Sequence, residues 1–387
     1  MSDALFDELR RKAADVGAAA DLHGLGEEEA ARAALAALVQ AGLVAWCVPE
    51  RDGGAHAHGL VSDDTVSVRA LSVLRDELAY HDGMLDVMLV MQGLGSYAVA
   101  RGGTEELRAD VLGGVVSGEA IAAFALTEPG AGSSLGDVTT RAEKRGDGWV
   151  LNGHKTFISN CGLARFYTVL ARTAGEPGDG DGLSMFFVPA DVWGVDTERF
   201  EVMAPHPIGD LILKDCELPG AFLLGRENEG LGLALEVLAR FRTSVAAAAN
   251  GFARRALDES VRHLTQREQF GRPLAKNQAL RFDLAEMDAR LRAAQLLVDE
   301  AAAKTDLADE PGQAVARAKL IATETAGWIC DRAVQHHGGL GVKKGTLVER
   351  LFREVRALRI YEGTSEIQKL LLAKGVLARA SSSGPAS

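Results

Sequence analysis

Apolar positions along this chain follow three successive patterns, each predicting a different kind of element. Up to about residue 118 they recur every three or four residues, as in Glu27 to Ala41, which breaks at Gly42, a residue suited to a left-handed helix cap. The charged opening MSDALFDELRRKAADVG and the runs Asp64 to Tyr80 and Leu85 to Ala100 read the same way, with Gly102 and Gly103 marking the next junction. Between about 119 and 228 the pattern changes to short β-branched and aromatic runs, Trp149 to Leu151, Phe166 to Ala171 and Leu183 to Val188, which predict strands. A glycine-rich loop, AGEPGDGDG, joins two of them, and a Pro-Gly turn at Glu217 to Gly220 closes the region. After Gly232 long helical periodicity returns, over about Leu233 to Leu264, Lys276 to Ala303 and Gln313 to His337, and predicts an antiparallel bundle. The expected organisation is an N-terminal helical domain (1–118), a middle β domain (119–228), a C-terminal helical bundle (229–380) and a flexible tail (381–387) of low complexity, without internal repeats.

Composition narrows the function classes. A chain of 387 residues exceeds what one compact core usually serves, and 47% hydrophobic with 25% charged residues describes a globular protein. The net charge of −12 argues against nucleic acid or an anionic membrane as partner, because phosphate binding needs clustered Lys and Arg. No run reaches the ~18 apolar residues of a membrane span, and the first residues lack a signal-peptide pattern. The expectation is a cytoplasmic enzyme. Cys47, Cys161, Cys216 and Cys330 form no CxxC pair, so neither a zinc site nor a disulfide framework is expected, and most should be buried thiols.

Four segments carry candidate chemistry. In FALTEPGAGSS, from Phe124 to Ser134, Gly130 and Gly132 would let backbone N–H groups approach a ligand, and Thr127 and Ser133 supply hydroxyls. By itself this could equally be an ordinary turn. LNGHKTFISN places Phe157 and Ser159 two residues apart on a strand, a spacing that alternating faces alone would also give, and His154 reads as a surface histidine. REQFGRPLAKNQ and QHHGGLG combine Arg267, Phe270, Gly271, Pro273 and Gln278 with Gln335, Gly338 and Gly339, the donors and glycine backbone a diphosphate wants. His336 and His337 have no second ligand cluster, so no metal is expected. IYEGTSEI sets Glu362 between Tyr361 and Gly363 at a junction rather than on a charged helical face.

In order and spacing these segments resemble the acyl-CoA dehydrogenase family across essentially the whole chain. The resemblance implies a mainly α fold with a β-barrel-like middle domain and a C-terminal four-helix bundle, and FAD as cofactor. It further implies α,β-dehydrogenation of an acyl-CoA thioester, with Glu362 abstracting the α-proton and hydride passing to flavin N5. Phe124, Leu126, Thr127, Gly132 and Ser133 would form the flavin and substrate loop, Phe157 would pack on the flavin ring and Ser159 would meet N5. Arg267, Phe270, Gln278, Gln335, Gly338 and Gly339 would reach FAD of a neighbouring subunit of a homotetramer, and Thr364 and Glu366 would also contact FAD. Tyr361 and Gly363 would line the acyl site with Ser133, and Arg242 would meet a phosphate of the carrier. An electron-transfer flavoprotein is the implied electron acceptor. Relatives with the base on the long helix place it where Phe241 stands here, which leaves Glu362 as the candidate. Two departures, Ser134 and Ala239 where the pattern has Asp, leave a carrier-protein thioester open as substrate, and the scaffold also resembles flavin oxidases and monooxygenases.

Overall fold

The computed structural model describes residues 2–382. Five helices come first: α1 (Ser2–Ala19), α2 (Glu27–Gln40), α3 (Val68–His81), α4 (Gly83–Gly102) and α5 (Glu105–Ser117). Local chemistry sets several of their ends. Ser67, Asp82 and Thr104 cap α3, α4 and α5 by accepting from backbone N–H groups of the first turn. Gly42 follows α2 with φ +71, as its place after the periodic run predicts.

Eight strands follow: β1 (Ala122–Ala125), β2 (Arg141–Arg145), β3 (Gly148–Ser159), β4 (Phe166–Arg172), β5 (Leu183–Pro189), β6 (Val195–Arg199), β7 (Ile208–Pro219) and β8 (Leu223–Leu224). They pair in the order β6-β7-β3-β2-β4-β5-β8, with β1 parallel to β4. Nearly every residue of β4 and β5 is buried, which is why both read as unbroken apolar runs rather than alternating ones.

The chain then turns into the 37-residue α6 (Gly230–Gln266), a two-stranded ribbon of β9 (Glu268–Gln269) and β10 (Arg272–Pro273), and the helices α7 (Gln278–Asp306), α8 (Gly312–His337), α9 (Leu347–Leu358) and α10 (Ser365–Ser382). Alanine-rich faces of α6, α7 and α8 form one core, with Ala246, Ala249, Ala253, Ala318 and Ala322 fully enclosed. Small side chains let these helices approach closely. The helix α10 continues through Ser381 and Ser382, which the sequence assigned to a flexible tail; the rest of that tail, 383–387, lies outside the described residues.

The helix α4 departs from the sequence reading in one respect. By length and composition it could cross a membrane, yet it is almost wholly buried within the fold. Its polar residues explain how: Asp86 pairs with Arg75 of α3, and Gln92 bonds the Val115 and Ala120 carbonyls and the Ala122 N–H. All four cysteines are free and buried, as expected.

Candidate active site

Glu362 lies between α9 and α10, in backbone that a Glu rarely adopts. Its φ is +51 and that of Gly363 is +91, a left-handed pair of the kind that costs on the order of 1 kcal/mol or more at a non-glycine residue. Captured carbonyls hold it there. Lys319 Nζ of α8 donates to Tyr361 O (3.0 Å) and Gly363 O (2.7 Å), and Gln368 Nε2 donates to Gly363 O (2.9 Å). Arg242 Nε of α6 donates to Glu362 O (2.8 Å). Three successive carbonyls thus face into the protein, and the Glu362 N–H donates to no group among the described residues.

The Glu362 side chain is largely enclosed, and its Oε2 has no hydrogen-bond partner among the described residues. Burial raises its pKa above the ordinary carboxylate value, opposed by the charges of Arg75, Arg242 and Lys319. Lys319 is pulled the other way: burial lowers its pKa to about 8, against the attraction of Glu362. Behind this loop Arg75 and Asp86 form a fully buried two-pronged pair (2.7 and 2.8 Å), and Arg75 also donates to Ser244 Oγ of α6 (2.9 Å).

The glycine loop after β1 is organised by a residue the sequence reading passed over. Glu128 accepts from Lys155 Nζ (2.8 Å), from Thr139 N and Oγ1 (2.7 and 2.6 Å) and from Thr140 N (2.9 Å), while Lys155 also donates to Leu126 O (3.0 Å). Despite the cost of burial, these partners hold the Glu128 pKa down to about 2. Phe124 and Thr127 are partly exposed, Leu126 is buried, and Gly132, Ser133 and Ser134 are open. At Gly130 and Gly132 a Cβ would meet nothing within 4 Å, so the loop rim is free space.

On β3 a register irregularity between Lys155 and Ile158 breaks the alternation of faces. It turns Phe157 to φ +56 and leaves its ring 60% exposed, edge-on to Phe200 at 5.2 Å. Ser159 Oγ lies 2.7 Å from His206 Nε2, a histidine whose pKa burial lowers to about 4, so the pair is neutral near pH 7. His154 is an exposed strand residue whose Nε2 meets Asp210 Oδ2 at 2.9 Å.

The third cluster gathers at one end of the bundle. The stacked rings of His263 and His337, 4.2 Å apart, join the ends of α6 and α8, and so place Arg267 at the same end of the bundle as Gln335, Gly338 and Gly339. These four and Gln278 are exposed, and Phe270 at the tip of the ribbon is 97% exposed with φ +54. Arg242, expected at a phosphate, donates through Nε to the Glu362 carbonyl. Tyr361 and Thr364 are partly exposed beside the base, and Glu366 is exposed on the first turn of α10. His336 is 3.2 Å from Asp283, and among the described residues no group of three His, Cys, Asp or Glu could hold a metal.

Family models confirm what the segments suggested. The acyl-CoA dehydrogenase N-terminal, middle and C-terminal domains match residues 2–119, 123–216 and 228–377. A 3-(aryl)acrylate reductase of Clostridium sporogenes is 37% identical over 88% of this chain and 89% of its own length. This chain belongs to the acyl-CoA dehydrogenase family. A cyclohexane-1-carbonyl-CoA dehydrogenase of Geobacter metallireducens is 32% identical over 98% of this family member and 97% of its own chain. Butyryl-CoA dehydrogenase from Megasphaera elsdenii superposes with a TM-score of 0.87 at 30% identity, covering 96% of this chain and 98% of that one. A glutaryl-CoA dehydrogenase from Mycobacterium smegmatis, solved with FADH2, gives 0.86 at 25% identity over 96% and 94%. As members of this family do, the protein acts as an oxidoreductase on CH–CH groups.

Proposed function

We propose that this chain is an FAD-dependent acyl-CoA dehydrogenase in which Glu362 takes the α-proton of the thioester. The observation that carries this reading is the state of Glu362: an enclosed carboxylate with a raised pKa and a free Oε2, whose own N–H is unspent. An α-proton beside a thioester is too weakly acidic for a carboxylate in water, so the base must be strengthened and the carbonyl polarised together. Exclusion of water does the first, and the Glu362 N–H, aimed away from the captured carbonyls, supplies one donor for the second.

The residues present fit FAD: an exposed aromatic face at Phe157, a hydroxyl at Ser159, an open glycine rim at Gly130 and Gly132, and Arg267 with glycine backbone at the bundle end. When bound, the flavin supplies the acceptor for the β-hydride. The protein's part is to hold the α-carbon against Glu362 and keep water out. Because Arg267, Phe270, Gln335, Gly338 and Gly339 are exposed on the single chain, the reading includes a homotetramer in which they meet a neighbour's FAD. Electron-transfer flavoprotein is the proposed acceptor, in keeping with a relative, 36% identical over 78% of this chain, named as a subunit of a caffeyl-CoA reductase-Etf complex.

The test is anaerobic mixing of the purified flavoprotein with acyl-CoAs of different length and branching. The wild type should bleach its flavin with at least one of them. Glu362→Gln should retain FAD and bind the same thioester, yet reduce its flavin roughly 10²-fold or more slowly. An unchanged rate in that variant would remove Glu362 from the role.

A further inference from the structure

Among the described residues the buried ammonium of Lys319 has no carboxylate within ion-pairing distance; its hydrogen bonds go to the Tyr361 and Gly363 carbonyls on either side of the base. A buried charge is costly unless it is paired, and two neutral carbonyls are a weak substitute for a carboxylate. What they offer is a position. Tyr361 C=O and Glu362 N–H belong to one planar peptide group, and in a trans peptide they point in opposite directions. A cation hydrogen-bonded to the oxygen withdraws electron density through that group and strengthens the N–H as a donor, as in any polarised hydrogen-bond chain. The next peptide repeats the arrangement, with Arg242 on Glu362 C=O and the Gly363 N–H at the far end.

Resting on the function proposed above, we infer that Lys319 is a positioning residue that charges the Glu362 peptide: its ammonium, acting through the Tyr361 carbonyl, makes the Glu362 N–H a stronger donor to the thioester oxygen. The α-C–H bond breaks towards the Glu362 carboxylate, its electron pair moves onto the thioester oxygen, and the polarised N–H meets the charge that gathers there. The same ammonium holds Tyr361 O and Gly363 O together, which fixes the left-handed turn and keeps the N–H aimed outward. Arginine at 242 cannot replace it, because that guanidinium serves the following carbonyl.

The test separates polarisation from mere support of the fold. A 3-thia-acyl-CoA loses its α-proton without transferring hydride, and the long-wavelength absorbance of its complex with the holoenzyme reads the pKa of that bound proton. Lys319→Met holoenzyme should show this pKa raised by at least one unit and flavin reduction slowed about 10²-fold, the scale of one lost oxyanion donor; Lys319→Arg, which keeps the charge, should recover part of both. A lower melting temperature in Lys319→Met with an unshifted α-proton pKa and an unchanged rate would overturn the inference.

If Lys319→Met does not hold flavin, the wild type carries the test. The carbonyl stretch of a bound ¹³C-labelled acyl thioester should move to higher frequency as pH rises through about 8, where Lys319 loses its proton. The other charges facing Lys319 are Glu362, Arg242 of α6, Glu324 of α8 and Glu366 of α10, with Arg75 and Asp86 acting on Glu362 itself. A stretch that stays constant from pH 7 to 9 would overturn the inference. A wild type whose flavin no acyl-CoA bleaches would instead defeat the functional reading beneath it.

Discussion

Glu354, on α9, is a second carboxylate with a raised pKa, and it has a different cause and consequence from the base. It lines a cleft of about 700 Å³ between the α1–α2 connection, α3, α6, α9 and the loop before β7. Burial, with Asp82 and Asp86 adding repulsion against Arg350 and Arg353, pushes it up to about 8. A folded-state pKa above the unfolded one favours folding fully below about 4.5, and that contribution is lost as pH rises through about 8. Glu354→Gln, neutral at every pH, should therefore be more stable than wild type at pH 9, on the order of 2 kcal/mol once residual solvent contact is allowed for, with the gap closing towards pH 4.5. Melting curves across pH 4.5 to 9 check this; a constant difference would mean the carboxyl does not titrate in that window.

At the scale of elements, the glycine loop is rigid because a charge pair pins it to the sheet. Lys155, on β3, faces inward with no exposure and neutralises Glu128 after β1. Removing one partner of a buried pair leaves the other uncompensated, which typically costs about 3–5 kcal/mol. Glu128→Ala should lose stability on that scale in urea denaturation and, because Thr139 N and Oγ1 and Thr140 N then lose their acceptor as well, should weaken FAD binding about tenfold or more, read by flavin release. Equal FAD affinity in the variant would show that the loop keeps its shape without the pair. Since the Glu128 pKa is lowered to about 2, its contribution is present above about 4.5 and is lost as pH falls through 2.

For the whole molecule, the single chain leaves apolar surface where the proposed assembly would cover it. Phe282 and Leu296 of α7 and Leu370 of α10 are all more than half exposed, on helices of the bundle whose other faces are packed. Exposed apolar side chains carry meaning where they adjoin, and the proposed assembly would bury these three against a neighbour. Leu370→Glu should lower the sedimentation coefficient from that of a tetramer, and protein that dissociates should lose FAD together with its partner, because Arg267, Phe270, Gln278, Gln335, Gly338 and Gly339 of the proposed flavin contacts lie on the bundle end. A tetramer with full flavin content in this variant would place the interface elsewhere.

The sequence alone determined the order of the elements, because hydrophobic periodicity is a local property: α2, α3, α4, α6, α7 and α8 lie where the three- and four-residue repeats put them, and β4 and β5 where the apolar runs are. It also singled out Glu362 and the glycine loop as candidates, since motif spacing survives without coordinates. Tertiary structure decided what those residues can do. Lys319 stands in the helical run AVARAKLIA, Arg75 and Asp86 on otherwise apolar faces, and Glu128 inside its motif; each was visible as a charge among small or apolar neighbours, but its partners lie on other elements. Similarly, no local pattern sends Arg242 to the Glu362 carbonyl across 120 residues. Periodicity reports which side of an element is buried, whereas pKa, charge pairing and the direction of an N–H depend on which distant groups folding brings beside it.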